Sequence, residues 1–119
     1  MATNLKKVAQ YALFSDDFKL GLLVEDFLRS NPILTNVSRP DTADERTLAV
    51  AASLIELFAI RLNQKPPKWT VEIGALEHEF FIQSDTETSH WLRELCLVES
   101  PEPLRRRNIF ATKNFLRAV

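Results

Sequence analysis

The sequence predicts an all-α fold: a compact single-domain helical bundle of about five to six helices around a central buried helix at about residues 43–63. Three observations lead there. Apolar residues recur at helical rather than alternating spacing over most of the chain. Thr42-x-x-Glu45 opens the longest run of good helix formers, and the six prolines fall between the periodic segments. At 119 residues the chain is long enough to bury one core without disulfides or metals, and too short to divide comfortably into two.

Leu5, Val8, Ala9 and Ala12 predict a first helix over residues 4–14, with Thr3 as its N-cap. Ser15 reads as the cap of a second. Behind it Leu20, Leu23, Val24, Phe27 and Leu28 repeat at i, i+3, i+4, i+7 and i+8, and the helix should end near Ser30, before Pro32. Residues 31–41 read as a surface connection pinned by Ile33, Leu34 and Val37.

The third helix is the clearest. Its polar residues Glu45, Arg46, Ser53, Glu56 and Asn63 fall in one narrow sector, with Ala49 and Ile60 among them. Leu48, Val50, Leu54, Ile55, Leu57, Phe58 and Leu62 fill most of the rest, interrupted by Thr47 and Arg61. A helix so broadly apolar must be covered on several sides, by a bundle or, failing that, by the seam of a homodimer.

Pro66-Pro67 forces a turn, read as a bend within one core. Residues 69–73 predict a short helix or extended segment, since no second strand suggests itself, and Phe80, Phe81 and Ile82 form an apolar anchor. Ser84-x-x-Glu87 is a second capping box, ahead of a helix of about three turns carrying Trp91, Leu95 and Val98, with Trp91 expected in the same core as Phe58. Pro101 and Pro103 end it; Ser100-Pro101 caps a short helix through the arginines, and Phe115, Leu116 and Val119 close the chain in a last turn.

Composition removes several functions. With glycine only at positions 21 and 74, neither a P-loop nor G-x-G-x-x-G can be written, so phosphate-cradling nucleotide folds are disfavoured. Residues 47–55, uncharged, are far short of the roughly 18–20 needed to span a bilayer, so no membrane span is expected. The single cysteine, Cys96, and the absence of a signal-peptide pattern point to a cytoplasmic chain. Cys96 lies among Leu95, Leu97 and Val98 without a neighbouring lysine or histidine to activate it, and reads as a core residue. His78 and His90 match no ligand spacing, and of the acidic pairs 16–17, 25–26 and 44–45 those in helix first turns are already explained by the helix dipole. Glu25 and Glu56 could face each other, but the Glu-x-x-Glu and Glu-x-x-Asp pairs of a helical magnesium site are missing. No catalytic residue, metal ligand or cofactor is named.

Charge is the strongest remaining signal. Residues 72–102 hold eight acidic side chains and one basic, whereas residues 103–119 hold Arg105, Arg106, Arg107, Lys113 and Arg117 and no acid. These five are the candidate partner- or anion-binding residues. The simpler reading spreads them along the edge of the bundle, some paired with the acidic segment, while Ile109, Phe110, Phe115 and Leu116 pack beneath.

In the same half of the chain stand Pro66-Pro67-x-Trp69, Phe80-Phe81-Ile82, Glu99-Ser100-Pro101-x4-Arg106-Arg107-Asn108-Ile109-Phe110 and Leu116-x-Ala118. Over residues 64–119 this resembles the helical C-terminal region of small bacterial antitoxin-like proteins encoded beside nucleotidyltransferase-like toxins. Many such proteins carry an N-terminal helix-turn-helix domain, of which residues 1–63 show no sign. The resemblance implies a non-enzymatic interaction protein with a nucleotidyltransferase-like toxin as partner, and transfers no catalytic residue. The expected function is therefore a helical protein-interaction domain. The alternatives are a nucleic-acid-binding accessory protein using the basic segment, less favoured, and an unfamiliar small-molecule or metal-dependent enzyme.

Overall fold

A computed structural model describes residues 4–13, 17–82 and 89–116, except the side chains of Asp17 and Phe18. The expected caps Thr3 and Ser15, the Ser84–Glu87 box, Arg117 and Val119 lie outside the described residues. The chain is mostly helical, with α1 (Leu5–Leu13), α2 (Asp17–Ser30), α3 (Glu45–Arg61), α4 (His90–Glu99) and α5 (Glu102–Arg105). Its radius of gyration of 13.2 Å is close to the about 13.5 Å expected of a compact chain this long.

In α1, Leu5, Val8, Ala9 and Ala12 are buried as their spacing requires, and Asn4 caps the helix by accepting the Lys7 N–H at 2.8 Å. Helix α2 buries Leu20, Val24 and Phe27 and stops before Pro32. The connection that follows buries Leu34 and Val37 but leaves Ile33 exposed, contrary to expectation. It is held from a distance: the Gln64 side chain accepts the Leu34 N–H and donates to the Pro32 carbonyl, and the Trp69 indole N–H donates to the Val37 carbonyl at 2.9 Å.

Helix α3 lies at the centre, packed by α1, α5 and the 3-10 turn Lys68–Glu72. Its N-cap is Asp44, which accepts the Thr47 N–H, whereas Thr42 accepts the Asp44 N–H one step earlier; the capping box read from Thr42 is displaced by two residues. The hydrogen bonds from Thr47 hold the Asp44 carboxyl below its usual pKa. Every residue from Thr47 to Ala59 is buried. The middle of the polar sector is thus covered as well, with Ser53 and Glu56 inside, while Glu45, Arg46 and Asn63 stay exposed and Ile60 and Leu62 emerge at the far end. Asn63, at φ 56°, closes the helix in a left-handed turn: the Gln64 N–H reaches the Ala59 carbonyl and the Asn63 N–H the Ile60 carbonyl. Asparagine tolerates that conformation better than most residues.

Beyond the prolines, two short strands appear that the sequence reading missed. β1 (Phe80–Phe81) pairs in parallel with β2 (Ile109–Phe110), Phe80 opposite Ile109 and Phe81 opposite Phe110. Two-residue strands are too short to show an alternating pattern. Ile82, Leu104, Ile109, Ala111 and Phe115 join the core that α1, α2 and α3 form, whereas Phe110 and Leu116 are only partly buried.

Helix α4 is capped by Ser89, whose hydroxyl accepts the Leu92 N–H, and buries only Cys96 fully. Trp91, expected beside Phe58, is instead 71% exposed. The reason is helical geometry: Trp91 projects about 140° away from Cys96, so a helix that faces inward through Cys96 turns Trp91 outward. α5 follows Pro101 without a side-chain cap, because the Ser100 hydroxyl donates to the Ile109 carbonyl at 3.0 Å. It ends at Arg105, so the arginine run passes from helix into a turn closed by Asn108 at φ 66°.

This arrangement separates two large aromatics. Phe58→Ala should lower unfolding free energy by about 3–5 kcal/mol, while Trp91→Ala should change it by no more than about 0.5 kcal/mol, both read from denaturant melts. Similar losses from the two would contradict the outward placement of Trp91.

Candidate functional site

The candidate basic residues do not form one surface. Arg107 is buried, and all its guanidinium donors are used. Its Nε–H donates to the Ile73 carbonyl at 3.1 Å. One terminal nitrogen donates to Glu56 Oε1 and, at 3.2 Å, to the Pro103 carbonyl; the other reaches Glu56 Oε2 at 3.2 Å and the Thr70 carbonyl at 2.8 Å. An arginine offers five N–H donors in a fixed fork, and this pocket accepts each of them.

Arg106 also donates to Glu56 Oε1 and lies 3.9 Å from Glu102, with about half of its side chain in solvent. Arg105 is exposed and donates to the Val98 carbonyl at 2.6 Å, at the C-terminal end of α4. Lys113 is exposed; its backbone N–H reaches Glu99 at 3.4 Å and its carbonyl accepts from Arg61 at 3.3 Å. The tail therefore meets the acidic segment through Glu99 and Glu102, but its deepest ion pair is with Glu56 of α3.

Burial alone would push the Glu56 carboxyl up. Hydrogen bonds from Arg107 and Arg106, with the charge of Arg107, outweigh that and hold it below its usual range. Glu56 is therefore an ionised, fully engaged carboxylate. It faces arginines rather than Glu25, which is exposed. Burial, and then Glu99, raise the Cys96 thiol above its usual pKa, so the thiolate is scarce at neutral pH. Both histidines are exposed, His90 lying 3.7 Å from Glu94. Among the described residues no group of three or more His, Cys, Asp or Glu side chains converges, and no helix is long and apolar enough to cross a membrane.

Two surface features stand out among the described residues. A cleft of about 580 Å³ lies between the start of α1, the end of α2 and residues 36–41, with Leu5, Phe27 and Val37 against Asn31, Asn36 and Arg39. The outer face of α4 presents Trp91 and Val98, 71% and 74% exposed, whereas Leu97 projects about 100° further round the helix. Sequence periodicity detected this apolar stripe but assigned it to the core. The buried ion pair was missed, although a lone carboxylate inside a run of apolar helix residues is a signal that a cation must reach it.

Replacing Arg107 by lysine should destabilise the fold by about 2–3 kcal/mol at neutral pH, because an ammonium cannot serve all the acceptors and leaves buried oxygens unpaired. Arg105→Lys should be near neutral. Since folding lowers the Glu56 pKa, the pair's contribution is fully present above the ordinary glutamate value of about 4.3 and is lost as pH falls through the folded value. The gap between wild type and Arg107→Lys should accordingly narrow in acid. Equal melting of the Arg107 and Arg105 variants across pH would contradict the assignment.

Comparison with protein-family models, curated proteins and solved structures gives no match for this chain.

Proposed function

We propose that the chain is a non-enzymatic helical protein-interaction domain and that the outer face of α4 is the surface it offers. The observation that carries this reading is the exposure of Trp91 and Val98 one above the other on a single helix. Tryptophan is among the most apolar-rich side chains and is enriched where interfaces form, and a cluster of large apolar residues in water is more informative than one alone. The charged groups closest to forming a site, Glu56 and Arg107, satisfy each other and hold the fold together. An antitoxin-like role beside a nucleotidyltransferase-like toxin, in the cytoplasm, is the particular form of this function that the C-terminal motifs suggest.

Affinity purification from the source cells tests it. One stoichiometric protein should co-purify with the wild type and be lost with Trp91→Ser and Val98→Ser, both of which should retain the native melting temperature. A nucleotidyltransferase-like protein in that band would support the antitoxin form. Recovery unaffected by either substitution, or retention of nucleic acid alone, would count against α4 as the interaction face.

A further inference from the structure

We infer that α4 docks against a helix of another protein whose apolar seam is flanked by lysine or arginine. This rests on the proposed interaction role and names the partner's chemistry. Trp91, Leu95 and Val98 recur at i, i+4 and i+7 and fall within about 60° of one another on α4, the pattern by which a helix lays an apolar seam against a partner. Trp91 and Val98 are well exposed and Leu95 is partly buried. Glu94 and Glu99 take the two flanks of this stripe, on opposite sides at about 60° and 80° from Trp91. Glu94 has 61% of its side chain in solvent, while Glu99 is partly buried and accepts the Lys113 N–H at 3.4 Å, leaving its other carboxylate oxygen for a partner. Arg93, the helix's own arginine, is turned to the other face, where its guanidinium lies 4.3 Å from the centre of the Phe81 ring.

Charge decides between the candidate occupants. If a second copy of the chain packed in parallel along this seam, Glu94 of one would meet Glu99 of the other, five residues on. If it packed antiparallel, Glu94 would meet Glu94. Either arrangement sets like charges against each other beside the apolar contact, where flanking charges govern partner choice. Area points the same way. One tryptophan, one valine and part of one leucine offer on the order of 300 Å², less than half of what each partner in a standard stable interface buries. A single helix is a partner of matching size. Lysine or arginine at its flanking positions would pair with Glu94 and Glu99, and a small residue opposite Trp91 would admit the indole. Arg105, bound to the Val98 carbonyl, marks the C-terminal end of the stripe.

Two synthetic helical peptides test this against the full chain, both with leucine seams, one with lysine and the other with glutamate at the flanks. Binding is read by the anisotropy of a dye on the peptide. The lysine-flanked peptide should bind about tenfold more tightly or better at low salt, with the difference shrinking as salt rises. Glu94→Lys should erase the preference and Glu94→Lys with Glu99→Lys should reverse it, circular dichroism confirming that each variant is folded. Equal affinity for the two peptides, or indifference to charge reversal, overturns the inference; so does binding of neither at about millimolar peptide. Equal affinity that is abolished by Val98→Asp would leave α4 standing as an interaction face and remove only the charge assignment, and the co-purification experiment reports separately on that broader reading.

Discussion

A carboxylate in the middle of a helix buried on every side must be neutralised where it stands, and much of the C-terminal half of this fold follows from how Arg107 does so. Unpaired, ionised Glu56 would carry a desolvation penalty far beyond any single packing gain. Paired with a guanidinium that also gathers the carbonyls of Thr70, Ile73 and Pro103, it becomes a node joining residues 70–73 and 103–107 to α3. Arg107 takes up the Ile73 carbonyl at the end of the 3-10 turn and shares the Thr70 carbonyl with the Ile73 N–H. Next to Arg107, the backbone continues the work: its carbonyl accepts the Leu76 N–H, and the Asn108 carbonyl accepts that of Phe80. The two-residue parallel strand pair begins where these contacts set its register. Ion pairs of this kind add little net stability against an apolar replacement, but they penalise wrong pairings heavily, which suits a segment with so little regular structure.

The same constraint explains why α4 is left half-covered. The tail is anchored through Arg107 to α3 and through Ser100 to β2, so α4 is tied at its C-terminal end and turned inward through Cys96. Nothing in that attachment requires its opposite face to be buried. Trp91 and Val98 lie outside the core because the positions that complete it are already taken by Ile82, Leu104, Ile109 and Phe115.

Helix existence was legible because it depends on periodicity and breakers, both local. Leu5, Val8, Ala9 and Ala12 announced α1 and its inward face together, and the breadth of the apolar sector in α3 implied its central place. What escaped was non-local or too short to have a period. Asp44 rather than Thr42 caps α3 because both are good N-cap residue types and only the backbone geometry decides between them. Trp91 was assigned to the core from its apolar character, which cannot distinguish a core face from a partner face. Of the candidate basic residues, Arg105 and Lys113 lie on the surface as their charge suggested and Arg106 is divided between surface and ion pair. The burial of Arg107 depended on a glutamate 51 positions away. That charged residue in an apolar helix was visible in the sequence, but its partner was not.

The most direct test of the account is a double-mutant cycle between Glu56 and Arg107, using Glu56→Gln, Arg107→Met and the pair together, with unfolding free energies measured by denaturant melts at neutral pH. Removing both groups should cost much less than the sum of the separate losses, giving a coupling of about 2 kcal/mol or more, because each single variant strands a buried partner. Additivity within about 0.5 kcal/mol would show that the two residues act independently and that the C-terminal half is organised by something else.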